Sequence, residues 1–249
     1  MKKALYTILC CMTLTACDDM LKKSDSQETK EKEEKIYNGV RKNYLNGKLA
    51  STVTYKDSLK NGPAFNYYPD GKVNMEFHYK DNQKHGPYKW YYENGKLYQE
   101  GEYLNGKKEG VFKTYRKNGK LKSSMPWHED NPCTGLVEYF ESGNIKEVPK
   151  LIVTHNNTIK LDEQYQLNLK ISDGTKNVQY YEGRLEKNGC FEGSFIPIKS
   201  KKGKGTLSFY VGRGQMIMQS IYIVAKVQTR DKNFYLLTKT VNLSIENRS

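Results

Sequence analysis

Hydrophobic and polar positions alternate along this chain in two different rhythms, separated near residue 150. Val73, Met75, Phe77 and Tyr79 are spaced by Asn74, Glu76 and His78, the period-2 pattern of a half-buried strand. Leu49, Val53 and Tyr55 keep the same pattern one unit earlier. Glycines recur at Gly47, Gly71, Gly95, Gly119 and Gly143, each 24 residues apart, and Gly62, Gly86 and Gly110 form a second series that Gly135 continues one residue late. Aromatic residues keep step, with Tyr67, Tyr91, Tyr115 and Tyr139 in one column and Tyr55, Tyr79, Tyr103 and Trp127 in another. A fixed period of this size marks a repeat architecture in which each unit is one supersecondary element.

Within a unit the chemistry predicts a β-hairpin. In residues 85–108 an aromatic strand (88–92) meets Asn94-Gly95, and a second strand runs over 96–103. Asn-Gly and Asp-Gly favour a type I′ turn, because both central residues need positive φ. Matching pairs stand at Asn46-Gly47, Asp70-Gly71 and Asn118-Gly119, with Ser142-Gly143 a weaker fifth, whereas 127–132 (WHEDNP) is expected to break the pattern. One hairpin cannot bury its own face, so stacked units must share an apolar stripe.

Past Leu151 the period disappears. Short β-rich runs at 151–154, 165–171, 178–185, 191–198, 205–211, 219–227 and 234–245 are separated by turn residues such as Asp173-Gly174 and Asn188-Gly189. About seven strands at roughly ten-residue spacing predict a β-sandwich. Strand count leaves an immunoglobulin-like sandwich and a small barrel both open, with the sandwich favoured. The expected fold class is all-β: an elongated antiparallel hairpin array over 36–149, then a sandwich over 150–249.

The repeat pattern, glycine, aromatic, Tyr-(Tyr), Asp/Asn-Gly-Lys-Leu and then a strand ending in Tyr, resembles the MORN-repeat variant of exported bacterial proteins. Some proteins with that variant are labelled antitoxins of the YwqK family. The resemblance implies a scaffold fold over roughly 36–149. It also implies an alternative role as an immunity protein that neutralises a toxin.

The first residues change the picture of where such an array works. Lys2 and Lys3 precede an apolar run from Ala4 to Leu14, and small Thr15 and Ala16 precede Cys17. This is the layout of a secretory signal over 1–16, too short for a spanning helix of about 20 residues. Leu14-Thr15-Ala16-Cys17 resembles the lipobox of bacterial lipoproteins. The resemblance implies cleavage before Cys17 and lipidation of its thiol, hence a cell-envelope protein moored by acyl chains such as palmitate, with the outer membrane expected. Residues 17–35 then form a charged tether without aromatics, which cannot bury enough surface to fold. Asp18 and Asp19 resemble an acidic surface-sorting signal of some bacterial lipoproteins; stalk solubility explains them equally well.

The formal charge is +13, and loss of Lys2 and Lys3 leaves +11. The tether carries seven acids and five bases, so the excess sits on the folded part. That surface suits anionic partners, a protein or an acidic glycan, and export sets nucleic acid aside. Of five cysteines, only Cys133 and Cys190 remain after the signal and Cys17 are accounted for. A bridge between them and two buried thiols are both compatible with the sequence.

Candidate chemistry is sparse. His78, His85, His128 and His155 lack metal-ligand spacing, so no metal and no cofactor is expected. Glu76 and Glu100 share a repeat column and could mimic a glycosidase pair, but outward positions of a sheet explain them more simply. The expected role is non-enzymatic binding. Doubled aromatics such as Tyr67-Tyr68 and Tyr91-Tyr92 must face opposite sides of a strand, which makes Tyr68, Trp90, Tyr92 and Lys96 the expected contact surface.

Overall fold

The computed structural model describes residues 35–248. Cys17, the expected signal and nearly all of the expected tether lie outside the described residues. Eleven strands form the first sheet: β1 (Gly39–Leu45), β2 (Lys48–Lys56), β3 (Leu59–Tyr67), β4 (Val73–Lys80), β5 (Gln83–Lys84), β6 (Gly86–Tyr91), β7 (Leu97–Leu104), β8 (Lys107–Tyr115), β9 (Leu121–His128), β10 (Asn131–Pro132) and β11 (Val137–Glu138). They follow one another as an antiparallel meander, with β5 set against β4 and β11 against β9.

Cross-strand register sorts the side chains onto two faces. On one, Ala64 opposes Phe77, Tyr88 opposes Gly101 and Phe112 opposes Met125; Ala64, Tyr88, Phe112 and Met125 are buried. Their rings interlock, with Tyr88 5.5 Å from Phe77 and Tyr103 edge-on to Phe112 at 5.7 Å. Gly101 is required here, since an added Cβ would stand 2.6 Å from the Phe112 ring. The other face carries an alternating charge row, Glu76, Lys89, Glu100 and Lys113, in successive register.

Two kinds of turn alternate, and their chemistry differs from the expectation. Asn94-Gly95 and its counterparts are not type I′ pairs: Gly71, Gly95 and Gly119 have positive φ (87°, 80° and 88°), but Asp70, Asn94 and Asn118 do not. Each closes a three-residue loop, in which the Tyr92 amide donates to Lys96 O at 2.8 Å and the Gly95 amide to Tyr92 O at 2.8 Å. That is the glycine-bulge hairpin loop. The Asp or Asn is selected as an acceptor: Asn94 Oδ1 takes the Lys96 amide at 3.0 Å, and Asp70 and Asn118 repeat the contact.

The two-residue turns with positive φ at both positions fall between these loops. They are Asp57-Ser58, Asp81-Asn82, Asn105-Gly106 and Glu129-Asp130. Residues 127–132 therefore continue the pattern instead of breaking it. Of the pairs expected from sequence to be type I′, only the first, Asn46-Gly47 (φ 51° and 75°), fits.

The second half contains β12 (Leu151–Asn157), the short helix α1 (Ile159–Asp162), β13 (Gln164–Ile171), β14 (Val178–Glu182), β15 (Ile196–Ile198), β16 (Ser200–Lys201), β17 (Lys204–Tyr210), β18 (Met216–Gln228) and β19 (Phe234–Glu246). One sheet has the order β12-β13-β17-β16 and the other β15-β14-β18-β19. This is the immunoglobulin arrangement of four strands opposite three, with one added edge strand. Leu167 and Leu169 of one sheet and Tyr180, Ile223 and Ala225 of the other belong to a single buried core.

The sequence boundary near residue 150 separates two architectures but not two bodies. Residues from Ile36 onward form one compact unit, and Met125 of β9 and Leu136, in the segment just before β11, belong to the sandwich core. Cys133 and Cys190 are joined by a disulfide. Around it the Thr134 amide donates to Gly189 O and the Phe191 amide to Pro132 O, both at 2.9 Å. Glu138, 3% exposed, accepts from Thr229 Oγ1 at 2.7 Å, Asn233 Nδ2 at 2.8 Å and Lys146 Nζ at 3.2 Å. A buried carboxylate with three donors is well compensated.

Candidate functional site

The aromatic face of the first sheet bears a column of lysines one period apart. Lys60 Nζ lies 5.3 Å from the Tyr79 ring centroid. Lys84 Nζ lies 4.4 Å from Phe77 and 5.1 Å from Tyr103. Lys108 Nζ lies 4.3 Å from Trp127 and 5.2 Å from Phe112. Each ammonium faces the negative side of a ring. Desolvation holds Lys84 and Lys108 below the usual lysine pKa, partly opposed in each case by Asp130. Successive lysines stand two strands apart, roughly 10 Å.

The two-residue turns position this column. Asn82 Oδ1 accepts the Lys60 amide at 2.8 Å while the Asn82 amide donates to Lys60 O at 3.0 Å. Asp130 does the same for Lys108, at 2.8 and 3.1 Å. Gly106, with no side chain, keeps only the amide bond to Lys84 O at 2.7 Å. A turn residue with a short carbonyl side chain thus acts as an extra strand residue for the unit before it. The recurrence of Asn82, Gly106 and Asp130 at the repeat period was visible in the sequence, but its purpose was not.

At its C-terminal end the aromatic face closes into a cavity of about 240 Å³ beneath the turn that joins β18 and β19. Trp127 and Tyr98 supply aromatic walls, and Gln99, Thr114, Ser123 and Asn233 supply polar ones. Lys108, Lys122 and Lys232 bring positive charge. Tyr98 and Lys122 are bulge residues: Trp90 pairs with Gln99 while Tyr91 pairs with Leu97, and Thr114 pairs with Ser123 while Tyr115 pairs with Leu121. A bulge re-aims its side chain, and both of these line the cavity. Lys122 binds Asp231 at 2.7 Å and Lys146 reaches the same carboxylate at 3.6 Å. Burial raises the Asp231 pKa, but these two lysines outweigh it and hold the carboxyl below its usual range.

The surface expected from sequence is not brought together as a contact patch. Tyr68 donates its hydroxyl to Tyr91 O at 2.6 Å and Tyr92 donates to Tyr115 O at 2.9 Å. Arg116, next in the column, donates to Tyr139 O at 2.6 Å. These half-buried side chains staple each unit to the following one. Trp90 lies on the aromatic face, edge-on to Tyr98 at 4.5 Å, and Tyr92 meets the same ring at 5.0 Å. Lys96 is exposed in the loop.

Glu76 and Glu100 lie two strands apart with Lys89 between them in register. Glu100 accepts from Tyr115 at 2.6 Å. Burial, and then that bond, push the Tyr115 phenol up to about 12. His85 is half-buried, and His128 Nδ1 lies 3.0 Å from Glu109.

Four consecutive stretches, residues 40–57, 60–81, 84–105 and 108–129, match the family described as MORN repeat variant. Three of the four matched units begin at Lys60, Lys84 or Lys108. No curated protein matches the chain.

Proposed function

We propose that this chain is a lipid-anchored, non-enzymatic binding protein of the cell envelope, whose repeats act as a rigid scaffold for a protein or anionic-glycan partner. The observation that carries the reading is the lysine column at Lys60, Lys84 and Lys108. It repeats a cation over an aromatic floor at fixed spacing on a sheet welded to the sandwich. Such a surface combines amphipathic ring area with positive charge that attracts an anionic partner. The contact residues are accordingly the lysine column and its rings, in place of Tyr68 and Tyr92.

Mooring through Cys17 rests on the lipobox resemblance, since two or three acyl chains give durable attachment. Cys17→Ala tests it: the variant should leave the membrane fraction, and equal retention with wild type refutes the anchor. The same unanchored chain tests the contact surface. It should bind isolated envelope material saturably and lose that binding with Lys84→Glu; unchanged binding rejects the lysine column.

A further inference from the structure

The cavity under the turn joining β18 and β19 differs from the rest of the lysine column. The open part of the column offers charge and rings, whereas here polar groups from two architectures converge on one volume. Gln99 and Thr114 come from neighbouring repeat strands and are already aligned, Gln99 Nε2 donating to Thr114 Oγ1 at 3.2 Å. Asn233 comes from the sandwich and is fixed by its bond to Glu138 at 2.8 Å. The Trp127 ring lies on one side, with the Lys108 ammonium 4.3 Å from its centroid. Lys232 stands on the turn with φ 63°, and Lys122 is already matched by Asp231.

We propose that this cavity is a subsite for a carboxylated sugar unit, and that the array binds an acidic glycan whose chain continues along the lysine column. The assignment deepens the contact-surface reading and rests on it. A sugar ring has apolar C–H faces and a polar equator. A ring wall with amide and hydroxyl groups beside it matches both, as a few placed polar groups in an aromatic pocket fix a ligand's orientation. The carboxylate meets Lys108 and Lys232, the cations that Asp231 does not neutralise. Lys108 is partly desolvated, so an anion beside it regains charge stabilisation that water supplies poorly there. The volume, about 240 Å³, accommodates a single sugar unit and leaves the remainder of the chain outside. The roughly 10 Å between lysines suits a step of two sugar units along an extended glycan, so that successive lysines meet the acids of alternate units. An acidic peptide could supply the charge, but its backbone has no use for the ring wall.

The test is calorimetric titration of the detergent-solubilised full chain with trigalacturonate, maltotriose and triglutamate. Saturable heat with trigalacturonate is expected, with at least tenfold weaker binding of the other two. Lys108→Met should weaken trigalacturonate at least tenfold, Lys108→Arg should restore most of it, and Lys232→Asn, which keeps the left-handed turn, should weaken it several-fold. Circular dichroism melts identify a Lys108 variant that fails to fold, and Lys232→Asn then decides alone. Equal binding of maltotriose overturns the role of the carboxylate, and equal binding of triglutamate overturns the sugar. If trigalacturonate gives no saturable heat while the unanchored chain still binds envelope material, the sugar assignment falls and the contact surface stands. Loss of both removes the contact surface as well.

Discussion

The Tyr92 hydroxyl donates to the carbonyl oxygen of Tyr115, 23 residues further on, at 2.9 Å. Tyr68 makes the same bond to Tyr91, so a residue type expected to meet a partner is consumed in joining neighbours. Removing one such hydroxyl by Tyr92→Phe should cost about 0.5–1.5 kcal/mol of stability, the usual net value of one hydrogen bond. Urea unfolding measures it. A variant as stable as wild type shows that the bond holds nothing.

Gly101 faces the Phe112 ring across the strand pair. Gly101→Ala should destabilise by about 1–3 kcal/mol through overpacking, although alanine suits a strand no worse than glycine. Thermal denaturation would register the loss, and an unchanged midpoint would mean that the aromatic pile is loose.

His128 and Glu109 form a pH-dependent pair. The hydrogen bond between them raises the His128 pKa and lowers that of Glu109. The histidine contribution is complete below the unfolded value of about 6.5 and fades as pH rises through the folded one. The glutamate contribution is complete above its unfolded value of about 4.3 and fades as pH falls through the folded one. The pair therefore supports the fold most between these limits. His128→Gln should flatten the dependence of the urea midpoint on pH there; a parallel curve would exclude the pair.

The disulfide spans 57 residues. Closing a loop of that length restricts the unfolded chain by about 4 kcal/mol in the chain-entropy account. Cys133→Ser with Cys190→Ser should lose an amount of that order in chemical unfolding. It should also raise protease sensitivity first near residues 132–134 and 189–191, where the two architectures are tied. Cleavage elsewhere would place the weak point outside the junction.

Much of this architecture was legible because strands announce themselves locally. Alternation at Val73, Met75, Phe77 and Tyr79 located β4, and the run at 234–245 located β19 almost to the residue. Turn type was misread because Asn-Gly serves two ends: it tolerates positive φ, and its side chain can also accept an amide, as Asn94 does. The bonds of Tyr68 and Tyr92 to neighbouring carbonyls were not legible, because amphipathic rings suit a partner and a neighbouring carbonyl equally well. Bulge residues such as Tyr98 and Lys122 leave no local mark. The cavity depends on Asn233 meeting Glu138, 95 positions earlier, and no local pattern encodes a contact at that distance.

The staples and turn bonds have a consequence for how such a chain can change length. Each unit reaches one unit forward, through Tyr68, Tyr92 or Arg116, and one unit back, through Asn82, Gly106 or Asp130. Duplicating or deleting an interior block of 24 residues would regenerate every lateral bond with new neighbours. The first unit, with its shorter loop, and the last, fixed to the sandwich, have no such freedom. The reach of the array is therefore adjustable in steps of one hairpin, while both of its ends stay constant.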